Sequence, residues 1–202
     1  MFGLFDKKSK EDKFWTWFEK NSRRYLTLDK SNREILFDEL NRELDKVDSN
    51  LTFEFSPLFD NGRREFIISA DGIKESFPSV KNLVSKAPVI PNWDIIAFRQ
   101  PKADYKQISY KGIKIDFKDV YFRYSKDNGK IGLELNIKDY EDTKEWNAST
   151  FLLLDMVVGE FDTEMFLSWI ERKKLDENQI EILYKIEELP TILNDYKKEF
   201  SN

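Results

Sequence analysis

The chain has 202 residues, of which 40% are apolar and 35% charged, and its net charge is −5. That length suits one domain, 1–202, with a sizeable core, and the acidic balance argues against whole-molecule attraction to nucleic acid or to an anionic membrane. Cysteine and histidine are both absent, which removes disulfides, thiolate nucleophiles, cysteine-based metal sites and imidazole acid–base chemistry.

The first ten residues, with MFGLF at the start, read as a frayed terminus or a small contact for a membrane or partner. Five mostly apolar residues are too few for a signal-peptide core. No apolar run approaches the roughly 18 residues of a membrane span, and the longest, residues 151–158, is interrupted by Asp155. The expected location is the cytoplasm, with no membrane span.

A first helix is expected over about 11–26, and a second from Ser31-Asn-Arg-Glu34, read as a capping box. The two are expected to lie antiparallel. Leu36, Leu40, Leu44 and Val47 form the apolar stripe of the second. At Leu51 the period changes to two, and Leu51–Phe55 and Arg64–Ile68 read as a hairpin across SPLFDNGR. A symmetric register pairs Phe55 with Arg64 and Phe53 with Phe66, which sets Glu54 opposite Glu65.

Asp71-Gly72 then turns the chain into a helix that starts near Pro78 and stops before Pro88. Residues 93–99 read as a strand, either parallel to the one at 64–68 through a crossover or antiparallel to it. Further strands are expected at 107–115, 117–124 and 130–138; the preferred register of the last two pairs Phe122 with Ile131 and Val120 with Leu133. A capping-box-like start at Asp142–Glu145 predicts a helix ending at Gly159. Phe161, Thr163, Met165, Leu167 and Trp169 alternate, so 161–170 reads as a strand, although Asp162 could cap a helix. Asp176 is expected to cap a final helix, restarted at Leu189-Pro190.

Five carboxylates are candidates for chemistry. Glu54 and Glu65, if opposed, could hold a hard cation or act as an acid/base pair. The plainer reading is a solvent-facing row with basic neighbours. Asp71 could present a carboxylate at the end of a strand, or simply close a turn. Asp155 sits in an apolar helix, where burial is costly unless an Arg or helix-end amides meet it; Glu160, just past the helix end, could join it. No glycine-rich phosphate loop is present, and no cofactor is expected. Residues 99–114 interleave Arg99, Lys102, Lys106, Lys111 and Lys114 with Tyr105 and Tyr110. That pattern fits single-stranded nucleic acid or, more plainly, a lysine-guarded hairpin edge.

The segments EFIISADGI, FPSVKNLVSKAP, WDIIAFRQP and LLLDMVVGE together resemble bacterial proteins built on a domain of unknown function. The resemblance covers about residues 12–175. It implies a bacterial, single-domain α+β protein and carries no activity or functional residue with it.

The expected fold is therefore α+β: a mostly antiparallel sheet of six or seven strands, with helices at both ends of the chain and one after the second strand. The leading functional reading is a cytoplasmic binding module for another protein, of an accessory or toxin-neutralising kind. The second is a carboxylate-based enzyme, with or without a metal, and the third a single-stranded nucleic-acid binder. Oligomeric state is not legible.

Overall fold

The computed structural model describes residues 8–200. The chain clusters into two compact units, Met1–Phe98 and Arg99–Asn202.

The first unit opens with α1 (Lys10–Leu26), whose entry is closed by a capping box between Ser9 and Asp12. Helix α1 therefore begins inside the stretch expected to fray, and residues 1–7, with the MFGLF contact, lie outside the described residues. The box expected at the start of α2 (Arg33–Asp45) does not form. Asp29 Oδ1 already accepts the Ser31 N–H in an Asx turn, so Asn32 becomes the cap and makes no side-chain bond. Leu36, Leu40 and Leu44 are buried as their spacing requires.

Strands β1 (Thr52–Phe55) and β2 (Arg64–Ser69) form the expected antiparallel pair in a different register. Phe55 pairs with Phe66 and Phe53 with Ile68, so Glu54 lies across from Ile67 and not from Glu65. The tight turn is off-centre: Phe59 N–H bonds to the Arg63 carbonyl, and Gly62, at φ 75°, completes it. This slides the ladder by two residues. A slip of two keeps every side chain on its face, so the apolar row survives.

Past Asp71-Gly72 come a 3-10 turn and α3 (Phe77–Ser85), with Pro78 in its first turn. The chain returns as β3 (Trp93–Ala97), parallel to β2, which is the crossover alternative. Aromatic rings fill this unit: Phe18 lies 4.7 Å from Phe66 and 5.4 Å from Trp93, and Phe55 lies 5.1 Å from Phe66. Trp15 Nε1 donates to the Leu83 carbonyl at 2.8 Å, tying α1 to α3.

Arg64 joins helix and sheet. Its Nη1 donates to the carbonyls of Tyr25 (2.8 Å) and Leu26 (3.1 Å) at the end of α1, and its Nε to the Ser56 carbonyl (2.8 Å). The Tyr25 and Leu26 carbonyls have no partner inside the helix, and a cation at this end also meets the negative pole of the macrodipole.

The second unit begins with β4 (Gln107–Tyr110) and β5 (Ile113–Asp116), a hairpin where one strand over 107–115 was expected. Lys111 and Gly112, at φ 46° and 84°, make the two-residue turn. The next hairpin, β6 (Val120–Asp127) and β7 (Lys130–Ile137), turns on Asn128-Gly129 at φ 47° and 79°. Phe122 therefore pairs with Leu135 and Val120 with Ile137, four residues from the expected register but on the expected face. The tight turn lets both strands run longer than a five-residue loop permits.

α4 (Lys144–Val158) is capped by Thr143, which accepts the Trp146 N–H, one residue after Asp142. Gly159, at φ 91° and ψ 149°, ends it in a conformation open essentially to glycine alone. The Gly159 carbonyl accepts the Thr163 N–H, which starts α5 (Glu160–Phe166). The strand expected over 161–170 is thus helical to Phe166, and β8 (Leu167–Lys174) begins only afterwards. Five alternating residues cannot outweigh a helix start set by a glycine. Asp176 caps a 3-10 segment rather than an α-helix; β9 (Tyr184–Lys185) and α6 (Leu189–Phe200) follow.

In place of one sheet, the described residues form sheets of three, two and four strands, the last ordered β8-β7-β6-β9. Two pairs are parallel, β2–β3 and β7–β8. The α+β character stands. Phe122, Leu133, Leu135 and Ile137 pack with Leu153, Leu154 and Val157 of α4 and with Leu193 of α6.

Replacing Arg64 by Met keeps its bulk and removes three charge-assisted bonds. Urea unfolding is expected to show a loss of about 2–4 kcal/mol, most of it from orphaned carbonyls.

Candidate functional site

The candidate carboxylates fall in two places. Glu54, Glu65 and Asp71 belong to the first unit; Asp155 and Glu160 belong to the second. Glu65 does meet a like charge, but on β3: its partner in the parallel ladder is Asp94. Arg63 resolves that contact, with Nε 2.9 Å from Asp94 Oδ2 and Nη2 donating to the other oxygen, and holds the Asp94 carboxyl below its ordinary value. Asp71 sits at φ 47° in a turn closed by the Ile73 N–H on the Ala70 carbonyl, with its own N–H on Ser69 Oγ. Its side chain is exposed, and the turn accounts for the Asp-Gly pair. Among the described residues no three carboxylates gather as a metal site would require.

Asp155 and Glu160 do come together, through Arg99. Nη1 of Arg99 lies 3.4 Å from Asp155 Oδ2 and 3.8 Å from Glu160 Oε2. The backbones interlock as well: the Arg99 N–H donates to Glu160 Oε2, and the Glu160 N–H donates to the Arg99 carbonyl at 3.0 Å. Three residues on, the Lys102 N–H donates to the Met156 carbonyl at 2.8 Å. Gly159 is required here for space too, because a Cβ would stand 3.0 Å from Pro101 and 3.3 Å from the Arg99 carbonyl.

This clasp is dry: Asp155 is 8% exposed and Glu160 1%. Burial raises the Asp155 carboxyl from 3.8 to about 7; Arg99 opposes the shift, and the charge of Glu160 adds to it. A carboxyl that exchanges its proton near neutrality can serve acid–base chemistry. Here both carboxylates are engaged by one guanidinium within the fold. Arg99, expected on a basic hairpin edge open to solvent or to single-stranded nucleic acid, is turned into the fold instead. Three of the four remaining cations of that stretch have local partners: Lys102 and Lys111 lie over the rings of Tyr105 and Tyr110, and Lys114 is 3.8 Å from Asp116.

A second feature was not legible as a site. Between Ile131↔Leu167 and Leu133↔Ile170 the β7–β8 ladder slips, so Ser168 and Trp169 together face Gly132. The Trp169 indole lies directly on that glycine; a Cβ on residue 132 would fall 2.0 Å from the ring. Trp169 remains 42% exposed. Beside it Glu134 faces Glu171, and Lys173 bridges both, at 2.8 and 3.3 Å. The only sequence signal was an isolated glycine in a strand pattern. Comparison with family models, with curated proteins and with solved structures finds no match to this chain.

Two outcomes follow from these contacts. Asp155 binds its proton more tightly folded than unfolded, so the stability it adds is complete below pH ~4 and is lost as pH rises through about 7. Asp155→Asn should therefore match the wild type near pH 4 and exceed it at pH 8 by on the order of 2–4 kcal/mol in denaturant titrations. Gly132→Ala should dislodge the indole, shifting tryptophan emission and costing roughly 1–3 kcal/mol.

Proposed function

We infer that the protein is a binding module of the bacterial cytoplasm that recognises another protein through the four-stranded sheet of its second unit. An accessory or toxin-neutralising role fits this reading. Trp169 carries it. A half-exposed indole laid on a glycine has little rotamer freedom left to lose on binding, and rigid aromatic anchors ringed by polar groups are where binding energy concentrates. The ring has such a rim in Glu134, Glu171 and Lys173. Fixing an exposed tryptophan in this way needs both the bulge in β8 and the glycine in β7, and core packing requires neither. Among the described residues no helix is long and apolar enough to cross a membrane.

The carboxylate-enzyme reading keeps one observation in its favour, the near-neutral Asp155. Its burial with Glu160 around Arg99 supports a structural role instead.

Capture from a host extract on the immobilised protein tests the binding reading. Trp169→Ala should lose the retained partner by an order of magnitude or more, with an unchanged circular dichroism spectrum. Phe59→Ala, an exposed aromatic change in the first unit, should keep it. Retention by both variants, or loss in both, counts against the sheet.

A further inference from the structure

β8 is the last strand of its sheet, with β7 on one side and, among the described residues, no strand on the other. It is eight residues long, and Ser168, Trp169, Glu171, Lys173 and Lys174 are exposed along it. Such an edge offers unpaired backbone groups to a further strand. Its charge is distinctive. Three basic residues stand against one acidic, in a chain whose net charge is −5.

Lys173 is neutralised by Glu134 and Glu171, whereas no carboxylate among the described residues pairs with Arg172 or Lys174. Arg172 lies across from Leu135 in the row that faces α4. Its guanidinium rests 4.7 Å over the Phe151 ring; Nε donates to Thr150 Oγ1 and Nη1 to the Ile170 carbonyl at 3.2 Å. The remaining nitrogen, Nη2, is buried and has no acceptor. Asp142 acts on this guanidinium only through its longer-range charge; the guanidinium, held by three neutral groups with a donor unused, lacks a carboxylate in direct contact.

These features select one occupant. A second copy of the chain would set this basic edge against itself. A nucleic-acid strand has no backbone that pairs with a β-edge. We propose that β8 is the docking edge for an extended acidic segment of another protein, added as a fifth strand with one of its carboxylates set against Arg172. This rests on the binding reading above and adds where the partner enters and what its chemistry is.

The test uses the full chain and a fluorescein-labelled, end-blocked ten-residue peptide of alternating Glu and Val, with a Lys–Val peptide as control. Fluorescence anisotropy should show saturable binding of the acidic peptide only. Arg172→Gln should weaken it about tenfold or more, and Lys174→Gln, a change at an exposed position, should weaken it measurably without touching the core. N-methylation of alternate residues along one peptide edge should abolish binding, and methylation of the other edge should leave it intact. Equal binding of both peptides, indifference to both methylation patterns, preference for a twenty-mer of thymidylate, or a dimer in sedimentation overturns the proposal. If the acidic peptide does not bind while partner capture still depends on Trp169, the edge is wrong and the sheet reading stands. Loss of that dependence overturns the sheet reading itself.

Discussion

A guanidinium cannot be withdrawn from water without acceptors to replace it, and both units of this protein are arranged around that demand. In the first, Arg64 ends α1 and fastens it to the β1–β2 hairpin through three backbone carbonyls. In the second, Arg99 binds the start of the unit to the α4–α5 junction through two carboxylates and two backbone bonds. The partners differ for a physical reason. The end of a helix supplies unpaired carbonyls that are already partly negative, so Arg64 needs no counter-ion. The α4–α5 junction has no such row, because the Gly159 carbonyl already accepts an amide of α5, and charge must be met with charge.

That difference bears on chemistry. Burial in the Arg99 clasp, with Glu160 as a like charge beside it and Arg99 opposing, sets Asp155 close to the balance between its charged and neutral forms. Near-neutral titration is common in catalytic groups, but here it results chiefly from burial in a closed structural joint. A joint of this kind tightens when a proton is bound.

Like charges on neighbouring strands receive the same treatment in the three-stranded and the four-stranded sheets. Glu65 and Asp94 are adjacent with Arg63 beside them, and Glu134 and Glu171 are adjacent with Lys173 bridging. Repulsion between such carboxylates disfavours the sheet unless a cation intervenes. Arg172 departs from this pattern. It is stacked and anchored with no carboxylate at ion-pair distance, on an edge strand whose charge opposes that of the chain.

Much of the architecture was legible in local chemistry. The leucine stripe of α2, Pro78 in the first turn of α3, Gly159 at the end of α4 and the facing of Phe53, Phe55, Phe66 and Ile68 all follow from periodicity and from what proline and glycine allow. Registers were not legible, because sliding a strand by two or four residues leaves every side chain on its face; only the turns at Gly62 and at Asn128-Gly129 fixed the slide. For that reason the Glu54–Glu65 pair dissolved. Asp155 was legible as a buried carboxylate in need of a partner, and Glu160 as its neighbour, whereas Arg99 lies 56 residues from Asp155 and looked like part of a basic surface.

The sequence alone, then, determined the alternation, the caps, the turns and the exclusion of thiol and imidazole chemistry, since each depends on residues within a few positions of one another. The tertiary structure decided which charges meet, that Trp169 lies on Gly132, and that β8 is left at the edge of its sheet. Those outcomes depend on distances between segments far apart in the chain, and no local preference encodes them.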